Sequence, residues 1–268
     1  MGIRTFKVDG IHVEEALPKN GAAASRPPLM LLHGAGHGAW CWEHWLKVLA
    51  GRGWACYALS LRNHPGSHPE DGETYRTRLK VSHYASDLRK VTEHLGRPCV
   101  VIGHSMGGIT ILKYLAEQCS AGKQEAAAVL LASAPPGQLG PVRGAPLPTD
   151  SAYVLDAETA RDLYFLTTNE AIWRPAVERL VPESPSVMND YSLGEGVPID
   201  PAHISCPLLV VSAEHDNSVA PRDGRIAEYL GKDYFFAQGI GHDLMLDSGW
   251  EDVLDDVEGW LAVRFPAN

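Results

Sequence analysis

Short unbroken apolar runs alternate along this chain with stretches whose apolar residues recur every three to four positions. Runs at 29–32, 55–61, 99–102, 126–133, 207–212 and 234–237 are apolar at successive positions, so both faces of each strand they form must be covered. Helical spacing follows at 42–50, stopped by Gly51, at 81–95, closed by Gly96, and at 106–117, 222–230 and 250–265. Two alternating runs, 4–8 and 11–16, flank Asp9-Gly10 and predict a hairpin. Residues 20–28 and 63–72, rich in Gly, Pro, Ser and Asn or His, predict loops. The alternation breaks at 135–201, which holds many prolines, short helical patterns at 156–167 and 169–180, and no convincing strand. The pattern predicts an α/β fold with a mostly parallel twisted sheet flanked by helices. Its core is expected from residues 1–134 and 202–268, with 135–201 inserted as a helical cap.

Composition narrows the function. The 268 residues are 45% hydrophobic and carry a formal net charge of −10, which argues against nucleic acid or an anionic membrane as the main partner. No apolar run approaches the ~18 residues of a membrane span. The first residues lack the charged-then-apolar form of a secretory leader, so a cytoplasmic location is expected. Cys41, Cys56, Cys99, Cys119 and Cys206 are scattered, odd in number and form no Cys-x-x-Cys pair. Neither a zinc site nor a disulfide framework is expected; Cys56, Cys99 and Cys206 lie in or beside apolar runs, as buried thiols do.

Candidate chemistry begins at Gly103-His104-Ser105-Met106-Gly107-Gly108, between a predicted strand and a predicted helix. In a parallel sheet functional groups gather beyond the carboxyl ends of the strands. The bland reading is a serine capping a helix after a Gly-rich turn. The chemical one is a Gly-x-Ser-x-Gly nucleophile elbow, whose glycines relieve crowding around a strained serine. The second needs a base and an orienting acid later in the chain, in the order Ser, Asp or Glu, His. Asp216 follows the run 207–212, ahead of a Ser-Val-Ala-Pro turn, with Glu214 as the alternative acid. Of the twelve histidines, only His242 follows the last predicted strand. The backbone N–H groups of Met106 and of Ala35, in the small-residue loop His33-Gly34-Ala35-Gly36, are expected to form the oxyanion hole.

With these residues identified, the chain resembles the α/β-hydrolase superfamily through "LLHGAGHGAW", "GHSMGG", "SAEHD" and "GIGHDLML". The stretch "HGAGHGAWCW" looks like the branch holding plant methylesterases and hydroxynitrile lyases. The resemblance implies that 135–201 is a lid over the pocket. In the lyases of that branch a Thr typically follows the early His and a Lys follows soon after the catalytic His. Gly34 and Asp243 stand at those places here and point to ester hydrolysis. The expected activity is cofactor-free cleavage of small to medium carboxylic esters. Alternatives on the same scaffold are a lyase or cofactor-free oxygenase using the His–Asp pair as base, and a small-molecule receptor.

Other residues carry weaker signals. Trp40, His104, Tyr164 and Trp173 are expected to line the substrate pocket, although Tyr164, Phe165 and Trp173 would equally serve to seat the lid. The pairs His33/His37 and His64/His68 have i,i+4 spacing but lie in Gly-containing loops, and no metal is expected there. "LRNHPGSH", with Asn63 and Pro65 where the superfamily usually has glycines, is read as a structural turn near the site. Asp247, Glu251, Asp252, Asp255, Asp256 and Glu258 are expected on the solvated face of the last helix.

Overall fold

The computed structural model describes residues 2–19, 25–218 and 221–267. Residues 20–24 of the expected loop, and Val219 and Ala220 of the turn expected after Asp216, lie outside them. Eight strands form one sheet in the order β1-β2-β4-β3-β5-β6-β7-β8. The hairpin β1 (Arg4–Val8) and β2 (Ile11–Ala16) adds an antiparallel edge to β4 (Cys56–Ser60). From β4 onward, β3 (Leu29–Leu32), β5 (Val100–His104), β6 (Ala127–Leu131), β7 (Leu208–His215) and β8 (Asp233–Gly241) run parallel.

The unbroken apolar runs are explained by two cores, one on each face. Leu29, Leu31, Val100, Ile102, Val129 and Val211 point to one face, where α1 (Glu43–Gly51) and α9 (Trp250–Arg264) cover them. Met30, Leu32, Val101, Leu130 and Val210 point to the other, beneath α3 (Val81–Leu95), α4 (Met106–Ser120) and α8 (Arg225–Leu230). Alternate residues of a strand face opposite sides, so only a run apolar at every position satisfies both cores. A short helix α2 (Gly72–Thr77), capped by the Asp71 carboxylate, precedes α3 and was not legible as a helical pattern.

The residues between β6 and β7 contribute α5 (Ala157–Tyr164), α6 (Glu170–Val177) and α7 (Pro185–Ser192). The first two begin at side-chain caps, Asp156 and Asn169, close to where the sequence pattern begins; α7, capped by Ser184, went unforeseen. One isolated antiparallel bridge, Tyr153 with Glu183, closes the insertion on itself. Tyr164, Trp173 and Val177 extend one core and Val187 and Tyr191 the other. Among the described residues no helix is long and apolar enough to cross a membrane.

Two expectations need correction. The last two strands are longer than their apolar runs: β7 continues to His215 and β8 to Gly241, with a bulge between Ala213 and His215. Polar residues end the apolar runs, but ladder bonds and a hydrogen bond from Gly239 N–H to the Glu214 carboxylate (2.8 Å) continue the strands. Asp247 is not on the solvated face of α9; it is fully buried before that helix begins. Glu251, Asp252, Asp255 and Asp256 are exposed, and Glu258 is half-buried against Trp54 Nε1.

Candidate active site

Ser105 stands between β5 and α4 with φ 53° and ψ −119°, a conformation that L-residues adopt only at a cost. Its backbone is tied to the end of β6: its N–H donates to Leu131 O (2.9 Å) and its carbonyl accepts from Ala134 N–H (3.1 Å). The glycines two residues either side have a packing reason. A Cβ on Gly103 would lie 2.6 Å from Gly107 O, and one on Gly107 would lie 2.5 Å from His33 O. Helix α4 therefore starts hard against the ends of β5 and β3, and the serine projects from the joint.

Because β7 and β8 run on together, the first residues beyond them, Asp216 and His242, meet. His242 Nδ1 and Asp216 Oδ2 are 2.7 Å apart, both side chains almost fully buried. Burial pulls the His242 imidazolium down, but the charge and hydrogen bond of Asp216 outweigh it and leave its pKa above 6.5. Glu214, the alternative acid, points elsewhere: it is half-exposed and bonded to Gly239. Ala35 and Met106 border the elbow from the β3 loop and the start of α4; among the described residues no protein acceptor takes either N–H.

Around the pair lies a layer of buried histidines. The His104 ring centroid is 4.7 Å from that of His242, and His104 Nε2 donates to His242 O (3.0 Å). Burial, with the His242 charge adding to it, lowers the His104 pKa to about 3, so this ring is neutral. Among the described residues its Nδ1 has no partner, and it faces Gly34, where a Cβ would come within 2.7 Å of it. His37 Nδ1 lies 2.8 Å from Ala35 O and its Nε2 3.1 Å from Asp243 Oδ2; both partners are acceptors, so both ring nitrogens donate. Despite its burial, Asp243 is held below the usual carboxylate range by the His37 charge and hydrogen bond. His33 donates from Nδ1 to Gly34 O (2.8 Å) and accepts Leu61 N–H at Nε2 (3.0 Å); burial drops it well below its ordinary pKa. His104, His242 and Asp243 bring three ligand-type atoms within 4.8 Å of one another. Of their ring nitrogens, His242 Nδ1 is bonded to Asp216 and His104 Nε2 to the His242 carbonyl.

The insertion covers this layer. Tyr164 stacks on His242 with ring centroids 5.5 Å apart, and its carbonyl accepts Asp243 N–H (2.9 Å). Trp40 stacks on His37 (5.5 Å), with the Arg179 guanidinium 4.4 Å from its ring centroid. Trp173 is buried in the core beside Arg174 and lines neither cavity described next. A cavity of about 80 Å³ lies between Ala35, Gly36, Tyr164 and the aliphatic side chains of Val177, Leu180 and Val181. A larger one, about 360 Å³, opens between Trp40, His44, α6 and Trp250. Neither reaches Ser105, which is 5% exposed, or His242, at 1%.

Three buried acids near the site escaped the sequence reading of function. Asp243 was visible only as a substituted position. Asp247 was assigned to a helix face, yet it accepts N–H bonds from Gly241, Leu166 and Thr167 and so ties the His242 loop to the insertion. Glu183, in the insertion, faces His64, whose ring nitrogens bond Glu183 (3.0 Å) and Arg62 O (2.9 Å). "LRNHPGSH" is a turn, with Asn63 at φ 61°, but one that carries a buried ion pair.

Comparison with known proteins bears on this arrangement. A rice protein (Oryza sativa subsp. japonica), Esterase PIR7B, is 30% identical over 90 residues, 34% of this chain and 33% of that protein. Probable esterase PIR7A of Oryza sativa subsp. indica is 33% identical over 82 residues, 31% and 30% of the two chains. The chain thus spans about a third of the length of the curated relatives it matches. Among solved structures, a thermophilic esterase from Thermogutta terrifontis superposes with a TM-score of 0.71 at 17% identity, over 99% of this chain and 100% of that one. Carboxylesterase CesB from Bacillus subtilis gives 0.68 at 18%, over 98% and 93%. At such identities the likeness is one of fold. The sheet order, the elbow and the paired strand ends are joined by a match to the model of the alpha/beta hydrolase family over residues 29–256, and the chain belongs to that family.

Proposed function

We propose that this chain is a cofactor-free serine hydrolase of small to medium carboxylic esters, with Ser105, His242 and Asp216 as its triad. The observation that carries the reading is the 2.7 Å contact of Asp216 with His242 Nδ1, beside a serine held at φ 53°. With Nδ1–H donated to Asp216, Nε2 is left as the base. Ser105 Oγ attacks the ester carbonyl carbon while His242 Nε2 takes its proton. The carbonyl oxygen becomes an oxyanion and accepts hydrogen bonds from the Ala35 and Met106 N–H groups. The tetrahedral adduct collapses, the alcohol leaves with the proton from His242, and an acyl-enzyme remains. Water then attacks the acyl carbon, giving a proton to His242; collapse returns that proton to Ser105 and releases the acid. His104, neutral next to the base, places no competing charge there.

The insertion, residues 135–201, acts in this reading as a lid. Tyr164 of the insertion stacks on His242, and Ser105 beside it is 5% exposed, so substrate enters when the insertion lifts. The test is turnover of p-nitrophenyl acetate and butyrate with covalent labelling by a fluorophosphonate. Ser105→Ala is expected to abolish both. Turnover at the parent rate in that variant, or cyanohydrin cleavage without labelling, would replace this reading with one that forms no acyl-enzyme.

A further inference from the structure

The insertion also reaches the loop after β3, through Glu183 and Val181. Glu183 is buried, and its two carboxylate oxygens accept four hydrogen bonds. Oε2 takes Gly36 N–H (3.1 Å) and His64 Nε2 (3.0 Å); Oε1 takes the Tyr84 hydroxyl (2.8 Å) and Ser184 N–H (2.7 Å). Gly36 directly follows Ala35, the proposed oxyanion donor. The peptide joining them is held at both ends: its carbonyl accepts from His37 Nδ1 (2.8 Å) and its N–H donates to Glu183. The carbonyl of Gly36 accepts a third bond, from Val181 N–H of the insertion (2.8 Å). The oxyanion loop is therefore positioned by the insertion as much as by β3.

From this we infer that Glu183 is a positioning residue for the oxyanion hole, and that the hole is complete only while the insertion is seated. The inference rests on the Ser105 reading above. Its physical basis is the donor set. His64 donates from both nitrogens, so the pair is a buried ion pair, an arrangement that contributes little to stability over an apolar replacement but fixes geometry tightly. Lifting the insertion to admit an ester removes Glu183 and Val181 from Gly36 together. Free to turn, the Ala35–Gly36 peptide no longer aims the preceding N–H at the oxyanion. Chemistry then waits for closure, which confines acyl transfer to an enclosed site.

Glu183→Gln tests this. An amide presents an NH₂ in place of one oxygen, and that NH₂ must face either the Gly36 and His64 donors or the Tyr84 and Ser184 donors. The expected result is a fall in kcat of roughly 10- to 100-fold with KM moved less than about threefold, short of the ~10²–10³ seen when an oxyanion donor is deleted outright. Affinity for a short alkyl trifluoromethyl ketone, which adds to the serine and sets an oxyanion in the hole, is expected to fall by the same factor as kcat/KM. Tyr84→Phe, which removes one donor and leaves the Gly36 bond in place, is expected to lower kcat less, in the same direction, and serves if Glu183→Gln does not fold. Parent kcat and parent ketone affinity in a folded variant, with only Tm reduced, would make Glu183 merely structural and overturn the inference. Ser105→Ala run alongside separates the two levels. If it is inactive while Glu183→Gln keeps parent kcat, this inference alone fails; if it keeps parent turnover, both fail.

Discussion

Asp216 Oδ2 lies 2.7 Å from His242 Nδ1 in a buried layer, and the two residues arrive there from the ends of adjacent parallel strands. The contact sets the tautomer of the ring and, against the pull of burial, raises its pKa above 6.5. A base works only when neutral, so kcat/KM is expected to rise with pH through an apparent pKa above 6.5. The stability linkage has the opposite sign. A group whose folded pKa is raised stabilises below its unfolded value, and that contribution is lost as pH rises through the folded one. Asp216→Asn is expected to shift the acid limb downward and cut kcat by ~10⁴. Pre-steady-state and steady-state pH profiles check both; an acid limb of the parent at or below 6.5 would count against the pairing.

Ser105 holds φ at 53° where a glycine would sit without strain. Both Ser105→Ala and Ser105→Gly are expected to be inactive, but their stabilities should differ. Backbone strain of this kind costs ~1–3 kcal/mol, against ~0.5–1 kcal/mol for the extra chain entropy of glycine. The glycine variant is expected to be the more stable by ~1–2 kcal/mol in urea denaturation, and equal midpoints would show that the elbow stores little.

Gly34 has no room to become a threonine. Its Cβ would sit 2.7 Å from His104 Nδ1 and 3.0 Å from Ser105 Cβ, so a side chain there displaces the His104 ring or Ser105. Gly34→Thr is expected to lower kcat/KM by ~10²-fold, the loss typical of a misplacement of about an ångström. Adding His104→Ala should return part of the activity, because it removes the atom in the way. A double-mutant cycle measures this, and strictly additive losses would mean that the two positions are independent.

Asp247 accepts four backbone N–H bonds, from Leu166 (2.7 Å), Gly241 (2.9 Å), Ser248 (2.8 Å) and Thr167 (3.2 Å). Asp247→Ala strands these donors beside the His242 loop and is expected to cost about 2–4 kcal/mol, with Asp247→Asn milder. Hydrogen exchange should show faster exchange at Leu166 and Gly241 in the alanine variant. Unchanged protection there would mean that Asp247 does not fasten the insertion.

The legibility of this protein follows the range of the interactions involved. Leu29–Leu32 and Val100–Ile102 announce buried strands because each residue faces one of two cores, and that demand is written in consecutive positions. Gly103, Ser105 and Gly107 announce a tight joint because the crowding is local. The ends of β7 and β8 are misread by a few residues, since Glu214 and Gln238 end the apolar run while the ladder continues. Helix α7 was missed because it is only eight residues long, begins at Pro185 in a proline-rich stretch, and carries only Val187, Met188 and Tyr191 as buried apolar residues beyond that proline.

The acids and histidines around the centre belong to another class. His37 pairs with Asp243 across 206 positions, His64 with Glu183 across 119, and Leu166 with Asp247 across 81. By itself the sequence determined the alternation of strands and helices, and hence which residues stand at strand ends: Ser105, then Asp216, then His242. Tertiary structure alone decided which charged groups are buried and what each one faces. A carboxylate in a polar stretch reads the same whether water or an imidazolium awaits it. In the fold Glu183 is buried and faces Gly36, His64 and Tyr84, residues 147, 119 and 99 positions away.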